Sequence, residues 1–173
     1  MRVVVCAIVL QALPGRADPG EPATFVGGGV SLGASHLIDA ALVMEGAVKL
    51  PGHAVWIRGS GSYGGSFDFE GGGLFLRGSV GAESMSCSSP SFCWIGGTDF
   101  GYQRETWKDQ DDDLAIEKHY GFLAGLRVGL DAGGDNLRFR LAFDLAACER
   151  RSNVDATSWG LGGGLTMTLA YRM

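Results

Sequence analysis

The stretch LRFRLAFDL, residues 137–145, alternates without a break. Leu137, Phe139, Leu141, Phe143 and Leu145 fall on one side of an extended chain, with Arg138, Arg140 and Asp144 on the other. Successive side chains of a β-strand point to opposite faces, so this period of two describes a strand with one apolar and one charged face. A helix would scatter both kinds around its circumference.

The pattern recurs on either side of that stretch. YGFLAGLRVGLD, residues 120–131, sets Phe122, Ala124, Leu126, Val128 and Leu130 against Gly125, Arg127, Gly129 and Asp131. LGGGLTMTLAY, residues 161–171, sets Leu161, Leu165, Met167, Leu169 and Tyr171 against Thr166 and Thr168. Upstream, FVGGGVSLG (25–33) carries Val26, Val30 and Leu32 on one face, and LVMEGAVKL (42–50) places Leu42, Met44, Val48 and Leu50 opposite Glu45 and Lys49. HAVWIRGSGSY (53–63) places Val55, Ile57 and Tyr63 opposite Trp56, Arg58 and Ser60, and GLFLRGSVGAE (73–83) places Leu74, Leu76 and Val80 opposite Phe75, Arg77 and Glu83. WIGGTDFGYQR (94–104) places Trp94, Phe100 and Tyr102 opposite Ile95, Asp99 and Gln103. The expectation is therefore an all-β chain of eight antiparallel up-and-down strands, each near the ~9–11 residues of a tilted membrane-crossing strand.

Composition agrees. Glycine makes up 29 of 173 residues, more than twice the ordinary ~7%, yet there is no Gly-X-Y period and there are only 5 prolines, which excludes collagen. Each glycine in a helix interior is unfavourable by roughly 1 kcal/mol relative to alanine, so a mainly helical protein is excluded as well. A net charge of −5 with no clustered basic stripe argues against a nucleic-acid partner.

Connections are expected to alternate in kind. LPGH (50–53) and AGGDN (132–136) read as short turns. ETWKDQDDDLAIEKH (105–119) and CERRSNVDATSW (148–159) read as long polar loops on the opposite end. The segment 87–93 breaks the rule, because it falls on the short-turn side and is not short.

Alternation alone leaves two readings open. A soluble lipocalin-like barrel turns its apolar face inward, around a small apolar ligand, and an outer-membrane barrel turns it outward, onto lipid. Three features favour the second. The polar face carries both signs: Glu45, Glu83, Asp99, Asp131 and Asp144 against Lys49, Arg58, Arg77, Arg127, Arg138 and Arg140. Buried charges need such partners, so these residues form the candidate ion-pair network of a filled lumen. Many glycines share that face, which suits a narrow interior. Aromatic residues lie toward strand ends, at Tyr63, Trp94, Tyr102, Trp107, Tyr120, Trp159 and Tyr171, where interfacial girdles belong.

On these residues the chain, from about Ala23 to Tyr171, resembles the small eight-stranded outer-membrane β-barrels of the OmpA/OmpX kind. The resemblance implies a monomer among outer-membrane lipids with both termini in the periplasm, and a structural, adhesive or surface-recognition role. It implies no enzyme activity and no cofactor. It also implies assembly by the barrel-assembly machinery, which reads a terminal alternating strand ending in an aromatic residue. Here LTMTLAY alternates, but Tyr171 is followed by Arg172 and Met173.

Export is expected from the first residues. Arg2, an apolar run from Val3 to Leu13, Pro14, then Gly15 and Ala17 have the layout of a cleavable signal peptide over residues 1–17, leaving a barrel domain over 18–173. In an oxidising compartment Cys87 and Cys93, which bracket SSPSF, are expected to pair and leave Cys148 over. Reduced thiols, or a bridge from Cys148 to one of them, are the alternatives.

Other chemistry finds little support. Ser35 and His36 are adjacent, which on a strand turns them to opposite faces, so the His-Ser pair of a lipid-modifying barrel enzyme is not expected. His53 belongs to the opposite end from His36 and His119, against a three-histidine metal site. The run 108–113, KDQDDD, lacks the glycine and final glutamate of a calcium loop and reads as a solvated acidic loop.

Overall fold

A computed structural model describes residues 24–34, 38–67, 71–109, 116–152 and 157–173 of the chain. They form one closed barrel in which β1 (Thr24–Ala34), β2 (Ile38–Lys49), β3 (Val55–Phe67), β4 (Gly71–Ser89), β5 (Phe92–Asp109), β6 (Ile116–Gly133), β7 (Leu137–Ser152) and β8 (Ser158–Arg172) follow one another around the ring. Every neighbouring pair is antiparallel, and β8 returns to close on β1. Closure gives every strand a paired neighbour on both sides.

The apolar face points out. Leu42, Met44 and Leu161 expose 68%, 71% and 73% of their surface, whereas Arg140 and Glu83 on the inner face expose 3% and 2%. A small apolar cluster lies inside at the short-turn end: Phe25, Ala47, Trp56 and Ala170, with Met85 packed against it. Phe25 and Trp56 face each other with ring centroids 5.7 Å apart.

Turn chemistry explains that end. Between β2 and β3, Pro51 and Gly52 occupy the centre of a turn in which the His53 amide donates to the Leu50 carbonyl at 3.1 Å. Proline supplies the first turn dihedral, and Gly52 takes φ +74°, a region costly for any residue with a Cβ. At the barrel seam the Thr24 amide donates to the Met173 carbonyl at 3.1 Å and the Met173 amide to Thr24 at 2.8 Å. The two residues beyond Tyr171 thus extend the pairing of β8.

Three sequence expectations are corrected. The segment 87–93 is no exception to the short-turn rule: β4 runs on to Ser89, β5 begins at Phe92, and Pro90 and Ser91 alone form the turn, with a bulge between Cys87 and Ser89. The long loops are largely strand. β5 continues to Asp109 and β6 starts at Ile116, still paired at Lys108↔Ile116, and β7 continues through Ser152. Beyond the apolar band both faces of a strand can be polar, so hydropathy stops alternating while backbone pairing continues. β1 to β3, at 11, 12 and 13 residues, stay near the expected ~9–11, whereas β4 to β8 run to 19, 18, 18, 16 and 15. Residues 1–17, the segment Ser35–His36 and most of the acidic run lie outside the described residues.

Candidate functional site

The inner wall is organised around Glu45. It projects inward from β2 and accepts hydrogen bonds from Arg127 Nη1 at 3.0 Å, Arg140 Nη1 at 3.2 Å, Arg58 Nη1 at 3.3 Å and Thr168 Oγ1 at 2.6 Å. These donors come from β6, β7, β3 and β8, so one carboxylate ties together strands from around the ring. Arg140 also reaches Glu83 at 2.5 Å and Asp131 at 3.2 Å. Arg58 pairs with Asp99 and lies 3.7 Å from Glu83. Arg127 is held by Asp144 at 2.8 Å, and Thr166 donates to the same carboxylate at 2.8 Å.

Toward the short turns, Arg138 pairs with Asp131 and donates to the carbonyls of Pro90 at 3.0 Å and Gly134 at 3.2 Å. Arg140 stacks over Phe25, 4.1 Å from the ring centroid, which joins the charged layer to the aromatic cluster beneath it. The sequence reading did not single out Phe25; its odd position in β1, opposite Val26, was the available signal.

One residue grouped with this network stands apart. Arg77 lies higher, donating to Gln103 at 3.2 Å and 3.8 Å from Asp39. Lys49 belongs to the last pair of β2, opposite Trp56, near the short-turn rim. Trp107 does not join an outer girdle: it has the parity of Asp99 and Gln103, and a Cβ on Gly73 would meet its indole at 3.0 Å. The other girdle residues are exposed on the outer wall, Trp94 and Tyr171 toward the short turns, Tyr63, Tyr102, Tyr120 and Trp159 toward the opposite end.

Above the charged layer the lumen opens into a cavity of about 170 Å³, lined by Ser60, Ser62, Ser79, Arg77, Gln103 and Cys148 among others. Ser60 and Ser79 share a hydrogen bond of 2.8 Å across β3 and β4. Higher still, Ser66 donates to Glu105, which lies 3.8 Å from Arg150. The sequence reading ended its strands too early to include this tier.

Inward glycines make the narrow bore possible. A Cβ on Gly29 would collide with the Met167 carbonyl, and one on Gly129 with the Leu141 carbonyl. The outward Gly59 and Gly78 meet nothing within 4 Å. Cys87 and Cys93 are bonded, and they are also direct register partners. Cys148 is free and half-buried. Among the described residues no group of three or more His, Cys, Asp or Glu side chains is placed to hold a metal ion.

No family model and no curated protein matches the chain. Solved structures do. Neisserial surface protein A matches at TM-score 0.67 and 7% identity, covering 87% of this chain and 96% of its own. Ail, the attachment invasion locus protein of Yersinia pestis, matches at TM-score 0.61 and 11% identity, covering 88% and 99%. The outer membrane protein OprG from Pseudomonas aeruginosa matches at TM-score 0.65 and 7% identity, covering 88% and 96%. At these identities the likeness is one of fold: this chain has the eight-stranded antiparallel architecture of small outer-membrane barrels.

Proposed function

We propose that the protein is a monomeric barrel of a Gram-negative outer membrane, closed to solute flow, with a structural or surface-recognition role. The observation that carries this reading is the inversion of the barrel, apolar outside and charged inside. In water the outer wall would expose Leu42, Met44, Leu126, Phe139, Leu161 and their neighbours together. Soluble monomers rarely expose apolar patches above a few hundred Å². In lipid the same wall is the expected solvent, and the two tiers of aromatic residues sit where interfaces would lie. The soluble-carrier alternative needs an apolar calyx, and the lumen offers charges and serines instead.

Closure follows from the layer around Glu45. An eight-stranded interior is just wide enough to be filled by side chains. Four arginines, Arg58, Arg127, Arg138 and Arg140, interlock there with five carboxylates, and Phe25 and Trp56 lie beneath. A surface role accords with the names of two barrels of like fold, a surface protein and an attachment protein. The same reading includes export, removal of residues 1–17, insertion by the barrel-assembly machinery and no enzymatic activity.

The test is fractionation followed by electrophoresis and conductance. The protein should require detergent for extraction, migrate differently before and after boiling, start at Asp18 when the mature N-terminus is sequenced, and give no discrete conductance steps in planar bilayers. Recovery without detergent would overturn the membrane reading. Step-like currents would overturn only the closed lumen.

A further inference from the structure

The bond between Cys87 and Cys93 has two unlike ends. Both residues have the inward parity of Glu83 and Asp99 and lie at the short-turn rim, yet Cys87 is exposed, between the exposed Ser86 and Ser88, while Cys93 is 5% exposed. Behind Cys93 stands Arg138, with Nη2 3.8 Å from the Cys93 Sγ. The same guanidinium pairs through Nε with the carboxylate of Asp131, the register partner of Cys93, and Nη2 also donates to the Asp131 carbonyl at 3.3 Å. The other Asp131 oxygen lies 3.2 Å from Arg140. The contact with sulfur therefore uses the second N–H of Nη2, after Asp131 is served, and does not depend on an unpaired charge.

In the finished barrel the bond adds little that the hairpin lacks. Its separation of 6 residues closes a short loop, and the stabilisation from a crosslink grows with loop length. The turn is held by other contacts as well: Arg138 Nη1 donates to the Pro90 carbonyl at 3.0 Å, and the Gly133 amide donates to the Ser91 carbonyl at 2.9 Å. Neither contact involves the sulfurs, so the two thiols of an opened bond remain register partners, aligned to close again.

We infer that Cys87–Cys93 is a thiol–disulfide exchange site for a dithiol, with Cys87 the attacked sulfur and Cys93 the leaving one. A thiolate of the dithiol attacks the exposed Cys87 Sγ and forms a mixed disulfide. The bond to Cys93 breaks, and its electron pair leaves on the Cys93 sulfur, where the Arg138 N–H receives the developing charge. Cys93 stays beside the mixed disulfide and would reverse a monothiol's attack, so the second thiol of the same carrier is what completes the step by displacing Cys87. The dithiol is oxidised by two electrons to its own disulfide. The protons its thiols release are balanced by those that Cys87 and Cys93 take up.

The full chain carrying Cys148→Ser, folded in detergent micelles, reports on this pair alone. Dithiothreitol should open the bond without loss of the heat-induced gel shift. With Cys93→Ser added, Cys87 should take up glutathione from glutathione disulfide, read as a mass increase, about tenfold or more faster than Cys93 does with Cys87→Ser added, because exchange depends on access. Arg138→Gln should slow opening by dithiothreitol about fivefold, the factor corresponding to ~1 kcal/mol for one hydrogen bond. A purely structural Arg138 gives the opposite sign, since a loosened rim would expose the bond and speed its opening. Opening only when the folded band is lost, or equal reactivity of the two single cysteines, overturns the exchange site. Opening in Arg138→Gln that is as fast or faster overturns the role of Arg138 in the leaving step. The single-cysteine comparison decides the site even if Arg138→Gln fails to fold.

Discussion

The two halves of the lumen match their charges differently. In the lower half Glu45 collects three arginines and a threonine at 2.6–3.3 Å, and its side chain is 1% exposed. In the upper half Arg77–Asp39 and Arg150–Glu105 are each 3.8 Å apart, and a cavity of about 170 Å³ lies beside them. Both halves obey the same period of two. What separates them is register, which brings carboxylates and guanidiniums of different strands to one depth in the lower half and leaves looser, part-exposed pairs above. A buried network of this kind is strongly coupled, because removing one partner strands the others in a dry site.

The largest test of that contrast is Glu45→Ala against Arg77→Ala. The first leaves three guanidiniums without their shared carboxylate and should lower unfolding stability in detergent by about 3–5 kcal/mol. The second removes a part-exposed pair and should stay within about 1 kcal/mol. Similar losses would mean that the halves are energetically alike.

A smaller effect is expected at the backbone. Gly29→Ala forces a Cβ against the Met167 carbonyl and should lower the thermal midpoint, corresponding to about 1–3 kcal/mol of overpacking. Gly33→Ala, near Asp39 in the upper half, meets its first neighbour only at 3.4 Å and should be nearly neutral. Equal destabilisation would show that crowding does not distinguish these positions. The smallest effect should come from chemistry in the cavity. A small methanethiosulfonate should label Cys148 in the folded, membrane-inserted protein without changing the heat-induced gel shift, whereas a Cys148 that reacts only after boiling would mean the upper half is as closed as the lower.

Faces were easier to read than partners. Arg138 and Arg140 alternate with Phe139 because a strand has two sides, and that much is local. Glu45 as the meeting point of Arg58, Arg127 and Arg140 depends on the stagger between strands, to which no short window of sequence is sensitive. Strand ends are hard to read for a related reason: Glu105–Asp109 and Glu149–Ser152 are polar on both sides once past the apolar band, so alternation disappears there while backbone pairing persists. Trp107 shows the reverse error, since its aromatic character suggested a girdle while its parity already placed it inward.

The bond between Cys87 and Cys93 joins residues that are also partners in the β4–β5 ladder. A slip of one residue would flip every side chain of a strand to the wrong face. Once made, this crosslink is incompatible with such a slip in the β4–β5 hairpin, whose strands of 19 and 18 residues make it the longest of the barrel. If oxidation precedes insertion, the hairpin arrives at the membrane with its alignment already chosen, and the rest of the ring is templated outward from it.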